Sequence, residues 1–97
     1  MREVEVLQEA IEALRRSAAR ELRLIKAVVG PADPLYLGCL EVWRLREGAA
    51  ATSIEFGDLA NAEVILDRGL HALRHALTAS RRERIPAAEL IALMAGR

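Results

Sequence analysis

Apolar residues recur every three or four positions along most of the chain, which is the spacing of helices with one buried face. The first such stretch is long, and its apolar positions are Val4, Leu7, Ile11, Leu14, Ala18, Leu22, Ile25 and Val28. Gly30 and Pro31 end this pattern, because Gly suits a left-handed C-cap and Pro cannot continue a helix. We therefore predict a first helix over about residues 3–29.

The second helix is predicted over about residues 34–55. It begins where Asp33 can accept hydrogen bonds from free N–H groups and Pro34 fits the first helical turn. Its larger apolar residues are Leu35, Tyr36, Leu40, Val42, Trp43 and Leu45. Because they spread over more than half of the helix surface, we expect this helix to be the most enclosed of the set.

The third helix is predicted over about residues 58–82, because Gly57-Asp58 is a plausible stop and start. A capping box at Thr52 and Glu55 is the alternative, and it would begin the helix one turn earlier. Its leucines form an apolar stripe at helical spacing, and they are Leu59, Leu66, Leu70, Leu73 and Leu77. Gly69 lies within this stretch, where Gly costs about 1 kcal/mol relative to Ala. We expect close packing by a neighbouring helix to compensate for that cost.

A short fourth helix is predicted over residues 86–95, after a polar joint at residues 81–84 and with Pro86 at its start. Its apolar residues are Leu90, Ile91, Leu93 and Met94. Three turns of helix are marginal alone in water. Together with Ile85, this segment is expected to dock either on its own bundle or on another chain.

The predicted fold is a single all-α domain over residues 1–97, either a three-helix bundle or helical hairpins, with the short C-terminal helix added. Hydrophobic residues make up 53% of the sequence, and a chain this short has little interior in which to bury them. We therefore expect a homo-oligomer. The predicted interface residues are Leu7, Ile11, Leu14, Ile25, Ile85, Leu90, Ile91, Leu93 and Met94.

The charge balance gives no general attraction to nucleic acid or to an anionic membrane, since 14 Lys and Arg residues match 14 Asp and Glu residues. The section 68–84 is locally basic, but it has no aromatic residue on which a base could stack. We interpret it as a solvated helix face and do not expect nucleic-acid binding.

The single cysteine, Cys39, excludes an internal disulfide and fits a reducing compartment. The first residues are too charged for a secretory signal, and no apolar run approaches the ~20 residues of a membrane span. We expect a cytoplasmic protein without a cofactor.

The weak candidates for a metal site are Asp67, His71 and His75, which lie four residues apart on the third helix. Imidazole and carboxylate at that spacing can bind a divalent transition metal, and Cys39 could add a thiolate. In size and in this use of Cys and His, the chain is similar to the copper and nickel sensors built as small helical oligomers. That resemblance implies a metal-responsive regulator, and a solvated polar face is the alternative.

Two acidic pairs, Glu9 with Glu12 and Glu55 with Asp58, resemble the paired acids of the all-helical nucleotide pyrophosphohydrolases. In that family four carboxylates hold magnesium over a nucleotide, since magnesium prefers hard oxygen ligands. The resemblance implies a metal-dependent hydrolase. Capping of helix ends by these acids is the other explanation.

The beginning of the third helix resembles the second helix of a tetratricopeptide hairpin, where Gly turns the chain and small residues let the helices nest. The residues that carry this resemblance are Gly57, Asp58, Leu59, Ala62, Leu66, Gly69 and Leu70, and Asp33-Pro34 resembles the joint between repeats. The resemblance implies a partner-binding or chaperone role.

These observations favour a non-enzymatic interaction or assembly module, adaptor-like or chaperone-like, which binds itself and in addition another helical protein. The alternative is a metal-dependent helical hydrolase or a metal-responsive regulator.

Overall fold

Three helices follow one another in the computed structural model, which describes the backbone of residues 2–95 and the side chains of residues 2–82. They are α1 (Arg2–Val29), α2 (Pro34–Glu55) and α3 (Leu59–Ala95). Within the described backbone no residue belongs to a strand. The all-α class and the three packed helices predicted from the sequence are confirmed.

The turn between α1 and α2 forms at the residues that the sequence indicated. Gly30 has φ 102°, a left-handed conformation that Gly adopts without strain, and its N–H donates to the Lys26 carbonyl at 2.8 Å. Asp33 Oδ1 then accepts from the Leu35 N–H at 2.8 Å, one residue after Pro34 begins α2.

The turn between α2 and α3 also combines a left-handed Gly with an Asp that caps the next helix. Gly57 has φ 78° and its N–H donates to the Ile54 carbonyl at 2.9 Å. Asp58 caps the start of α3, because its Oδ1 accepts from the Asn61 N–H at 3.0 Å. Both predicted breaks are therefore confirmed.

The predicted joint at residues 81–84 and the separate helix 86–95 are not present, because α3 continues without interruption to Ala95. Pro86 removes one helical N–H donor. The residues on both sides of it are mostly Arg, Ala, Glu and Leu, which are strong helix formers, and they favour continuation of the helix. The side chains of Ile85, Leu90, Ile91, Leu93 and Met94 lie outside the described residues.

The longest helix, α3, is the central one, because α1 and α2 both pack mainly against it and only slightly against each other. The first helix runs parallel to α3: Leu7 lies beside Ala60 near their first turns, and Glu21 Oε1 lies 3.8 Å from Arg74 Nε further along. The short turns on either side of α2 make it antiparallel to both.

The core is built from one face of each helix. Its buried apolar residues are Ile11, Ala18, Leu22 and Ile25 from α1, Trp43 and Ala50 from α2, and Ala62, Leu66, Leu70, Leu73 and Leu77 from α3. Burial of one large apolar side chain contributes about 1.5–3 kcal/mol. Since α3 supplies five of these residues, the apolar stripe predicted for it is confirmed as the centre of the core.

The packing of α2 on α3 centres on Gly69. A Cβ atom placed at Gly69 would lie 3.0 Å from Trp43 Cζ3 and 3.1 Å from Trp43 Cε3. The Cγ of Arg46 would be 3.4 Å away. The close packing expected at Gly69 is therefore confirmed, and the group that approaches its backbone is the indole of Trp43.

The prediction that α2 is the most enclosed helix is wrong. Of α2, only Trp43 and Ala50 are buried. Its exposed large apolar residues are Leu35, Leu37, Val42 and Leu45, and Phe56 follows at its C-terminal end. The physical reason is that α3 covers one side of α2, α1 touches it only slightly, and no further helix of the described chain covers the outer side.

The molecule is long and thin. Its radius of gyration is 17.3 Å and its extents are 63 × 26 × 15 Å, whereas a compact chain of this length would have a radius of gyration of about 12–13 Å. A thin body has much surface for its volume. This shape explains why apolar side chains remain uncovered in a single copy.

We predict that Gly69→Val destabilises the fold by roughly 1–3 kcal/mol, because the added carbons would overlap the indole of Trp43. The matched control is Gly48→Val. Apart from the backbone of its own helix and its chain neighbours, no heavy atom of the described residues lies within 4 Å of a Cβ at Gly48. That control should change the free energy of unfolding by no more than about 0.5 kcal/mol. Chemical denaturation followed by circular dichroism measures both. Equal losses in the two variants would contradict the proposed contact.

Candidate functional site

A row of uncharged residues runs along the outer side of α2, and we name it the α2 stripe. Its members are Leu35, Gly38, Val42, Leu45, Ala49, Thr52 and Phe56, which alternate in steps of three and four. At the helical rise per residue the row is about 32 Å long. Its most exposed large members are Leu45, with 67% of its surface accessible, and Phe56, with 84%.

The α2 stripe continues into the groove between α2 and α3. One shallow depression there is lined by Val42, Leu45, Arg46, Ala49 and Ile65. A second is lined mainly by Leu35, Gly38, Cys39, Val42 and Ala72. Because Val42 belongs to both, it forms a ridge between two apolar hollows, and the surface can receive the protruding side chains of another helix.

The glycine within the α2 stripe has no packing role in the described chain. Apart from the backbone of its own helix and its chain neighbours, no described heavy atom lies within 4 Å of a Cβ placed at Gly38. A glycine inside a helix costs about 1 kcal/mol relative to Ala. Gly69 compensates for this cost through contact with Trp43, whereas Gly38 faces open space.

A second apolar area lies near the first turns of α1 and α3. Val6 and Val64 are exposed there, and Leu7 and Ala60 line a shallow depression beside them. The charged residues Arg2 and Glu3 line the same depression, whereas no member of the α2 stripe is charged. The α2 stripe is therefore the better candidate for a binding surface.

Two of the interface residues predicted on α1 are buried within the single chain. Ile11 and Ile25 are 3% and 0% exposed and pack inside the single chain against α3. Leu7 and Leu14 are half-buried at the same seam. The apolar face of α1 is thus largely used within the chain, and this burial leaves the outer side of α2 as the larger uncovered surface.

Sequence reasoning missed the α2 stripe as a site. The signal was present, since the steps of three and four continue over 22 residues without a charged residue in the row. It was hidden because α2 is apolar on several sides, and the spacing alone does not distinguish the covered side from the uncovered one.

The three weak metal candidates lie on an exposed face of α3. Asp67 Oδ2 and His71 Nδ1 are 3.9 Å apart, and His71 with His75 lines a surface region that also contains Arg74 and Arg82. Cys39 instead lines the hollow between α2 and α3. Among the side chains of residues 2–82, the structure brings together no group of three or more His, Cys, Asp or Glu that could hold a metal ion.

One acid of each predicted pair, Glu12 and Asp58, makes a local contact. Asp58 caps α3 through the Asn61 N–H, and Glu12 Oε1 lies 3.3 Å from Arg15 Nη1. Arg15 also bonds through Nε to Glu47 Oε1 of α2 at 3.2 Å. For Asp58 the contact is a helix cap, and for Glu12 it is an ion pair within α1.

Neither models of protein families, nor curated proteins, nor solved structures gave a match to this chain. Over the part of the chain that the structure describes, none of the helices has an apolar stretch sufficient to cross a membrane.

Cys39 gives a test of the packing beside the α2 stripe. Partial burial raises the pKa of its thiol, because burial disfavours the charged thiolate. At a given pH the folded protein therefore holds less thiolate than the unfolded chain, and we predict slower alkylation of Cys39 in buffer than in denaturant. The alkylation rate in buffer should also reach its plateau at a higher pH than the rate in denaturant. Identical pH profiles in the two conditions would contradict the burial of this thiol.

Proposed function

We propose that this protein is a non-enzymatic interaction module, and that it assembles with a second copy of itself through the outer face of α2. The observation that carries the proposal is the α2 stripe, an uncharged row about 32 Å long at the helical rise per residue. It includes Leu45 and Phe56, which are among the most exposed large apolar residues described. Uncovered apolar rows of this kind are typical of protein interfaces.

The energetics favour contact between helices at this surface. Complete burial of one large apolar side chain contributes about 1.5–3 kcal/mol, and four members of the α2 stripe are large and at least one-third exposed: Leu35, Val42, Leu45 and Phe56. The hollows on either side of Val42 can receive side chains that protrude from another helix. A helix laid along this groove would remove the row from water.

An adaptor-like or chaperone-like role follows if the same surface, or the assembled pair, holds another helical protein. The lone thiol of Cys39 and the absence of any other cysteine in the sequence fit a reducing compartment, and we place the protein in the cytoplasm on that basis. In this role the protein binds its partner reversibly and without forming a covalent bond.

We predict that Leu45→Glu abolishes self-association, because a carboxylate in the middle of the row would have to be buried without a partner. Light scattering should give a mass near twice 10.7 kDa for the original chain and near 10.7 kDa for the variant. Measurements over a range of protein concentrations separate weak from strong association.

The matched control is Leu37→Glu. Leu37 is also an exposed leucine of α2, 50% accessible, but it lies outside the α2 stripe. This variant should keep the mass of the original chain. A monomeric original chain, or equal dissociation of the two variants, would overturn the proposal. Circular dichroism of both variants checks that the helices are retained.

A further inference from the structure

The geometry of the α2 stripe points to how the second copy binds, and this inference rests on the proposed function. We infer that two copies pair in parallel, with the α2 stripe of one chain against the α2 stripe of the other. The twofold axis then runs along the pair of α2 helices. Each residue of the row meets its own counterpart.

The spacing of the row is the first argument. Steps of three and four maintained over three heptads are the pattern of two helices that wind around each other. One set of positions holds Leu35, Val42, Ala49 and Phe56, and the alternate set holds Gly38, Leu45 and Thr52. The central layers place β-branched Val42 in the first set and Leu45 in the second, the arrangement that favours two parallel strands.

The charges beside the row are the second argument. Glu41 flanks the row on one side, and Arg46 follows five residues later on the other side. In a parallel pair, residues with this separation face each other across the interface, so Glu41 of each copy meets Arg46 of the other. In an antiparallel pair with Leu35 opposite Thr52, the edge that carries Arg46 faces the Arg46 edge of the other copy, and the two Glu41 edges also face each other. Like charges then share each edge, and no Glu41 meets an Arg46.

The position of Arg46 supports this pairing. Its Nη1 donates to the Ile65 carbonyl of α3 at 3.3 Å, and its side chain lines the hollow beside Leu45. The guanidinium is therefore held at the edge of the row before the second copy binds. A positioned charge loses less conformational freedom on forming an ion pair than a free one.

Coverage of the apolar surface is the third argument. In the parallel pair Leu45 packs on Leu45 of the second copy and Phe56 packs on Phe56, so the two most exposed members of the row are both buried. The layers at Gly38 and Ala49 are small and let the two backbones approach. The open space around Gly38 within one chain then becomes a contact between chains.

Disulfide cross-linking distinguishes the two orientations. In a chain with Cys39→Ala, the variants Leu35→Cys and Thr52→Cys are oxidised separately and as a mixture in which one variant carries a mass tag. Each variant alone should form a covalent homodimer if the pair is parallel. In an antiparallel pair, position 35 would lie roughly 25 Å or more from its counterpart by the helical rise, far beyond the reach of a disulfide.

The outcomes separate this inference from the proposed function. Homodimers from each variant alone, and no covalent dimer of a tagged with an untagged chain in the mixture, support the parallel pair. Cross-links only between position 35 and position 52 overturn the parallel orientation and leave self-association standing. A dimeric mass by light scattering without either cross-link overturns the inference, and a monomeric mass overturns both.

Discussion

The contact between the indole of Trp43 and the backbone of Gly69 sets how α2 packs on α3. Trp43 is the one large side chain of α2 that is buried. Other side chains of α2 are partly buried and pack against the same core, and they are Tyr36, Cys39, Leu40 and Ile54. The indole fits because Gly69 has no Cβ, which would lie 3.0 Å from the ring. By fixing the side of α2 that faces α3, this contact also fixes the side that faces solvent.

The exposed side of α2 then follows from the number of helices. A helix with a wide apolar surface needs neighbours on more than one side to bury that surface. In this fold α3 is the main neighbour of both α1 and α2. The first helix has a single apolar face, so α3 is sufficient for it. The second helix has apolar residues on several sides, so the row from Leu35 to Phe56 stays uncovered within one chain.

Local features of the fold could be predicted from the sequence because they depend on single residues. Gly30 and Gly57 end helices through left-handed backbone conformations, and Asp33 caps the next helix through its own carboxylate. The sequence could not predict which helix packs against which apolar face. Spacing identified Ile11 and Ile25 as one apolar face, but it could not tell whether α3 of the same chain or a second chain covers that face. The continuation of α3 through Pro86 was missed because one lost hydrogen bond is outweighed by strong helix formers on both sides.

Gly69 and Gly38, two of the three glycines inside the described helices, connect this packing to the candidate site. Gly69 and Gly38 have the same unfavourable helix propensity, about 1 kcal/mol relative to Ala, and the fold explains only the first, through Trp43. At Gly38 the described chain offers no contact that a side chain would obstruct. Gly38 lies in an uncharged row with Val42 and Leu45, where a second helix would approach most closely at the smallest residue. A second copy packed along this row, as proposed, would give Gly38 the contact that it lacks within one chain.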